Sequence, residues 1–154
     1  MTDAGNEELL AGIRDRRTAV GQALRMAPVA VDIGAGRFVC DFETRAEHCN
    51  PLGMVHGGFI SAMVDEAMAI AALSKRRFEI RVPTLEMKVN FLAPVRPGRV
   101  RAEAWVVRLG RTIGFSEARL TDGDGTLLAT ATQTVRVVDF AKIQSAPRST
   151  TTGT

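Results

Sequence analysis

The hydrophobic positions of the chain follow a helical spacing at first and an alternating spacing later. Within residues 7–25, apolar side chains recur among charged ones at helical intervals, which predicts an amphipathic helix. Two short strands are predicted on either side of a glycine turn at 34–36. Later runs alternate between apolar and polar residues, as strands do in a sheet with one covered face. These runs are 84–93, 100–108, 112–121 and 126–138.

The region 48–73 breaks both patterns, because it is apolar on nearly every side yet contains Asp65 and Glu66. A helix without a polar face has to be covered on most sides. We expect a curled sheet to cover part of it and a second subunit to cover the remainder. Successive residues of a helix point about 100° apart, so the two carboxylates cannot face the same site.

The composition is that of one globular domain. The 154 residues are 45% hydrophobic and 24% charged, and no stretch has the roughly 18 uninterrupted apolar residues of a membrane span. The acidic, polar start differs from a signal peptide, so we expect a cytoplasmic protein. Cys40 and Cys49 lack the spacing of a metal motif and are predicted to be free thiols.

Arginine is much more frequent than lysine and occurs in clusters, although the formal net charge is only +3. Guanidinium groups suit phosphate recognition, but an ordinary solvated surface explains any one cluster by itself. The clusters are Lys75–Arg77, Arg96 with Arg99 and Arg101, and Arg108 with Arg111. Nucleic-acid binding is disfavoured, because aromatic residues make up 5% of the chain and no recognition module has its spacing here.

Several other kinds of site are excluded by incomplete motifs. The acidic turn 122–125 lacks the distal glutamate of a calcium loop. The turn 34–36 lacks the further glycines and the lysine of a phosphate loop. Ser61 lies inside the predicted helix, without the GxSxG motif of a hydrolase serine. No metal site is expected, because the candidate ligands have no recognisable spacing. These candidates are His48, Cys49, His56 and Asp65.

Three motifs in order resemble the PaaI-like branch of the hotdog-fold acyl-CoA thioesterases. They are NPLGMVHGG at 50–58 followed by Asp65, PTLEMKVNFLAPVRPG at 83–98, and VVRLGRTIGFSEARL at 106–120. The resemblance covers about residues 28–138. It implies an α+β hotdog fold, in which a mostly antiparallel curled sheet wraps around one long central helix. It also implies a dimer with a continuous sheet, commonly paired into a homotetramer, and the hydrolysis of acyl-CoA.

The chain is accordingly divided into three parts. Residues 1–27 are the predicted N-terminal amphipathic helix, residues 28–140 the hotdog thioesterase domain, and residues 141–154 a tail predicted to be disordered. Coenzyme A enters only as part of the substrate, and no separate cofactor is expected. No nucleic acid or membrane partner is expected either.

The resemblance assigns catalytic roles to five positions. Gly57 and Asn50 match the oxyanion donors, and Asp65 matches the catalytic carboxylate, which is expected to act as the general base. Thr84 matches a position where the family often has serine or threonine, and it could orient the attacking water. His56 matches the family histidine and could hold the loop or the thioester. The residues themselves support Gly57, because the first amides of a helix have no partner within it and lie at its positive end.

Gly57 and Asp65 lie eight residues apart on one predicted helix. The helical rise separates them by about 12 Å along the axis, so one chain cannot readily bring both to one carbonyl carbon. We therefore expect Gly57 and Asp65 of each site to come from two chains related by a two-fold axis.

Substrate contacts are predicted at five further positions. Arg108 and Arg111, which flank Gly110, match family positions that are frequently basic and could contact the phosphates of coenzyme A. Phe91 is expected to line the pantetheine channel. Ser61 shares the helix face of Asp65 and is small enough to leave room for a substrate.

The predicted function is hydrolysis of an aryl- or medium-chain acyl-CoA to the free acid and coenzyme A. Two alternatives stay open. One is a non-catalytic acyl-CoA-binding hotdog module, which would not need the carboxylate. The other is a hotdog enoyl-thioester dehydratase or hydratase, which the fragment from Glu66 to Ala69 resembles.

Overall fold

The computed structural model describes residues 3–140, in which helices and strands follow one another around a single core. The helices are α1 (Asp3–Asp15), α2 (Ala19–Ala23) and α3 (Gly57–Ser74). The first four strands are β1 (Ala27–Asp32), β2 (Arg37–Thr44), β3 (Ile80–Arg81) and β4 (Thr84–Phe91). The last four are β5 (Gly98–Leu109), β6 (Ile113–Thr121), β7 (Leu127–Arg136) and β8 (Val138–Asp139).

Six strands form one antiparallel sheet in the order β1-β2-β5-β6-β7-β4. Helix α3 packs across the middle of this sheet, against β2, β5 and β6. The predicted α+β architecture, a mostly antiparallel sheet with one long central helix, is confirmed. The turn at 34–36 joins β1 to β2, as the sequence predicts.

The core lies between α3 and the inner face of the sheet. Met63, Val64 and Met68 of the helix are fully buried there, together with Phe38 and Leu120 of the sheet. Helix α3 has the length and the mean hydropathy, 1.3, of a membrane-spanning helix, but half of it is buried inside the fold. Packing against the sheet therefore accounts for its apolar composition.

The outer face of the sheet pairs charges across neighbouring strands. Arg101 of β5 donates to both carboxylate oxygens of Asp41 in β2, at 2.7 and 3.0 Å. Glu103 accepts from Arg37 on one side and from Arg119 on the other. These charge pairs stabilise the pairing of neighbouring strands. In β5 the charged residues that alternate with buried ones lie on this outer face.

The N-terminal region differs from the single amphipathic helix predicted over 7–25. It forms α1 and α2, with a break at 16–18. Thr18 caps the second helix, because its hydroxyl accepts a hydrogen bond from the Gly21 amide at 2.8 Å. The same hydroxyl donates to Glu66 of α3, so this cap also ties the N-terminal segment to the central helix.

The C-terminal run also ends differently from its prediction. β7 stops at Arg136, and a separate strand β8 pairs with β3. The predicted disordered tail, 141–154, lies outside the described residues. Both cysteines are free thiols, as predicted, and burial raises the pKa of the Cys40 thiol, which makes it unreactive at neutral pH.

Replacing the cap residue, Thr18→Val, should lower the free energy of unfolding by about 1–2 kcal/mol, because both the cap and the bond to Glu66 are lost. Urea denaturation measures the change. Thr132→Val is the matched control, since Thr132 is exposed on β7 and valine suits a strand. Equal losses of unfolding free energy in both variants would contradict a stabilising role for the Thr18 cap and its bond to Glu66.

Candidate active site

Asn50 closes the loop that leads into α3. Its Oδ1 atom accepts hydrogen bonds from the amides of Leu52 (2.9 Å) and Met54 (3.2 Å). Its backbone amide donates to the Met54 carbonyl at 2.8 Å. Because the amide oxygen is occupied by the loop, only the Nδ2 group is left to donate to a ligand.

His56 caps the N-terminus of α3. Its Nδ1 atom accepts from the Gly58 amide at 3.0 Å, so this nitrogen carries no proton. The cap satisfies Gly58 and leaves the Gly57 amide without a hydrogen-bond partner within residues 3–140. Gly57 therefore presents a backbone donor at the positive end of the helix dipole, as predicted from its position at the start of the helix.

The free amide opens onto a cavity of about 400 Å³. Asn50, Gly57, Ile60 and Phe91 are among its lining residues. The Phe91 ring lies directly against Gly57, because a Cβ atom at position 57 would be only 3.1 Å from Phe91 Cζ. The structure thus brings together Asn50, Gly57 and Phe91, three of the predicted site residues.

Asp65 lies away from this cavity, on the side of α3 that faces β4 and β7. Its Oδ1 atom accepts from the Thr84 hydroxyl at 3.1 Å and from Nε2 of Gln133. Nε2 of Gln133 also donates to the Thr84 hydroxyl oxygen at 3.0 Å. The predicted pair Asp65 and Thr84 is therefore in direct contact, with Gln133 as a third member.

Gln133 is absent from the predicted site. Its signal is visible in the alternation of β7, where Ala129, Ala131 and Val135 are buried on the same face and position 133 alone is polar. A polar side chain at an inward position requires a hydrogen-bonding partner. The sequence does not say that this partner is Asp65.

Asp65 and Gly57 are not brought together within one chain. They are eight residues apart on the unbroken helix α3, which places them about 12 Å apart along its axis. Neither Asp65 nor Thr84 lines the cavity beside Gly57. The chain therefore has two separate groups of predicted site residues, called half-sites below, one at the start of α3 and one in its middle.

Glu66 faces a different part of the molecule. It accepts from Thr18 and lines a cavity of about 300 Å³ between α1 and α3. The two adjacent carboxylates thus point away from each other, as the helical geometry requires. The hydrogen-bond partner of Glu66 is the hydroxyl group of Thr18.

The predicted contacts for coenzyme A lie around the β5–β6 turn. Arg108 and Arg111 are exposed there, on either side of Gly110. Gly110 has a steric reason to be glycine, because a Cβ atom would lie 2.9 Å from the Ile113 carbonyl oxygen. Gly110 and Arg111 line a cavity of about 350 Å³ that is separate from the one beside Gly57.

The remaining predicted residue, Ser61, is half-buried in α3, one turn after the free amide. Within residues 3–140, no group of three His, Cys, Asp or Glu side chains is close enough to hold a metal ion. The chemistry available at both half-sites is therefore that of backbone donors, amides, hydroxyls and one carboxylate.

The chain is similar in sequence to known thioesterases. The sequence profile of the thioesterase superfamily matches residues 52–129. Human acyl-coenzyme A thioesterase 13 is 29% identical over 101 residues, which cover 64% of this chain and 71% of that protein.

Two solved structures share the fold. A phenylacetic acid degradation-related protein from Ralstonia eutropha is 32% identical, with a TM-score of 0.77 over 84% of this chain and 97% of that one. The PaaI protein of E. coli has the same TM-score, 0.77, at 19% identity, and covers 90% of this chain and 96% of its own.

The cap on α3 can be tested by replacing His56. His56→Ala should lower the free energy of unfolding by about 1 kcal/mol, because the Gly58 amide loses its acceptor. His56→Asn should retain most of the stability, since asparagine is a strong N-cap residue. Chemical denaturation compares the two variants, and an equal loss in both would contradict the cap.

Proposed function

The chain belongs to the thioesterase superfamily, and from this membership and its two half-sites we propose that it hydrolyses an aryl- or medium-chain acyl-CoA. The products are the free acid and coenzyme A. The resemblance to PaaI-like proteins and the hotdog fold are confirmed by the family match and by the solved structures. Acyl-CoA thioester hydrolysis is also the activity named for the human relative.

The observation that carries the proposal is the unpartnered Gly57 amide. Hydrolysis of a thioester places negative charge on the carbonyl oxygen, and fixed backbone donors stabilise that charge. The His56 cap leaves Gly57 free for this role, and Asn50, whose Nδ2 group is left to donate, lines the same cavity. Both donors are held in place before a substrate binds.

Asp65 serves as the general base. Its carboxylate accepts a proton from water while the water oxygen adds to the thioester carbon. The tetrahedral intermediate then collapses, the carbon–sulfur bond breaks, and the proton passes to the departing thiolate of coenzyme A. Direct attack by Asp65 to form a mixed anhydride is the less favoured variant. The Thr84 hydroxyl contacts Asp65, and its remaining lone pair could orient the water.

Two chains are needed to complete each site, because α3 keeps Gly57 and Asp65 about 12 Å apart. Strand β4 offers the contact surface. It is the last strand of the sheet, with no further strand beside it within residues 3–140, and Leu85 on it is 58% exposed. The other edge strand, β1, is packed by α1. We infer a homodimer joined through β4, with pairing of dimers into a homotetramer.

The contacts with the rest of the substrate follow from the positions of the exposed residues. Phe91 contacts Gly57, is partly exposed to solvent, and lines the channel for the pantetheine arm. Arg108 and Arg111 supply positive charge for the phosphates of coenzyme A, with Gly110 keeping their turn tight. Ser61 leaves space beside the reacting carbonyl. The free thiols of Cys40 and Cys49 suit the reducing cytoplasm, where we propose that the protein acts.

The alternatives are less well supported by the geometry. A dehydratase of this fold would use a helical glutamate, but Glu66 is bound to Thr18 and faces α1. A binding module without activity would not need a carboxylate that is held by two donors.

Asp65→Asn should reduce kcat for thiol release by about 10²- to 10⁴-fold, because the amide cannot accept the proton from water. A panel of aryl and aliphatic acyl-CoA esters, followed with a thiol reagent, measures the loss and identifies the acyl group. Glu66→Gln is the control, since its amide oxygen can still accept from Thr18.

The Glu66→Gln variant should keep the wild-type rate. Persistence of that rate in Asp65→Asn would refute Asp65 as the base. Binding of acyl-CoA by the wild-type protein without any thiol release would favour the non-catalytic module instead.

A further inference from the structure

Gln133 is a buried polar residue on the inner face of β7. Only 2% of its surface is exposed, and its neighbours on the same face of the strand are Ala131 and Val135. An amide at such a position loses its hydration on folding, so its hydrogen bonds have to replace those with water. Its partners therefore indicate why a glutamine is present.

Both hydrogens of the Gln133 amide nitrogen have acceptors in the Asp65 half-site. One is directed to Oδ1 of Asp65 and the other to the hydroxyl oxygen of Thr84, at 3.0 Å. The Thr84 hydroxyl in turn donates to the same Oδ1 atom at 3.1 Å. The three side chains form a closed ring of hydrogen bonds around one carboxylate oxygen.

The second carboxylate oxygen of Asp65 is in a different situation. Oδ2 accepts no hydrogen bond within residues 3–140 and is not one of the buried atoms that lack a partner. An ionised carboxylate has lone pairs on both oxygens, so Oδ2 is available to accept a proton. The ring thus distinguishes the two oxygens chemically.

The orientation that serves Asp65 leaves the other end of the Gln133 amide unsatisfied. Oε1 is buried and has no hydrogen-bond partner among residues 3–140, and the same holds for the hydroxyl of Ser116, its cross-strand neighbour in β6. A buried acceptor without a partner destabilises a protein. If position 133 contributed only to stability, methionine or leucine could fill it without leaving a buried acceptor unpaired.

We propose that Gln133 is a positioning residue for catalysis, which fixes Oδ1 of Asp65 so that Oδ2 receives the proton of the attacking water. This inference rests on the proposed function of Asp65 and adds which of its oxygens reacts and what holds it. Gln133 acts through Asp65 and Thr84. The orphaned Oε1 atom is the structural consequence of aiming both amide hydrogens at the site.

The test replaces the amide by apolar side chains that cannot donate. Gln133→Met removes both hydrogen bonds and the orphaned carbonyl, so the protein should be as stable as wild type or more stable. We expect kcat for thiol release to fall by about 10- to 100-fold, since hydrogen bonds to a charged group are lost. KM should change little, because Gln133 contacts no substrate.

Gln133→Leu is the second variant, in case methionine disturbs packing. Leucine also lacks a donor for Asp65, so kcat should fall by a similar factor. Ser116→Ala is the matched control at the paired position of β6, and it should retain the wild-type kcat. Circular dichroism and denaturation establish that each variant is folded.

The outcomes separate this inference from the proposed function. A wild-type kcat in folded Gln133→Met, together with an inactive Asp65→Asn, would overturn the role of Gln133 and leave Asp65 as the base. A loss of stability and a rise in KM in Gln133→Met, with kcat unchanged, would show a structural role only. A fall in kcat at unchanged KM and undiminished stability supports the positioning role.

Discussion

The rigidity of α3 is the constraint on which the proposed mechanism depends. A helix fixes the distance between its residues, so the free Gly57 amide and the Asp65 carboxylate stay about 12 Å apart whatever the rest of the chain does. Each group has its own supports, the His56 cap for one and Gln133 with Thr84 for the other. Two well-ordered half-sites on one helix make sense if a second copy of the helix completes each of them.

The same helix explains the surroundings of the site. The sheet covers one face of this helix, α2 contacts another, and a strip that includes Ser61 and Asp65 is left half-buried. Strand β4 borders this strip and ends the sheet. A partner placed along β4 would bury this half-buried strip and bring in the missing half of each site at once.

The sequence was sufficient for what depends on local patterns. Alternation predicts the strands, and the position of Gly57 at the helix start predicts its free amide. The sequence did not predict the contacts between segments that are distant along the chain. Thr18, which caps α2, also bonds Glu66 of α3, and Gln133 meets Asp65 through the packing of β7 beside α3. The alternation of β7 marks Gln133 as an inward polar residue, but the neighbouring residues identify neither Asp65 nor Glu66 as the partner.

The sharing of sites between chains is tested most directly by mixing two inactive variants with different affinity tags. Asp65→Ala lacks the base, and Gly57→Pro lacks the amide hydrogen, while proline is tolerated at the first position of a helix. Purified heterodimers should recover roughly half of the wild-type thiol release, because one of their two sites is intact. Inactive heterodimers of proven composition would contradict shared sites.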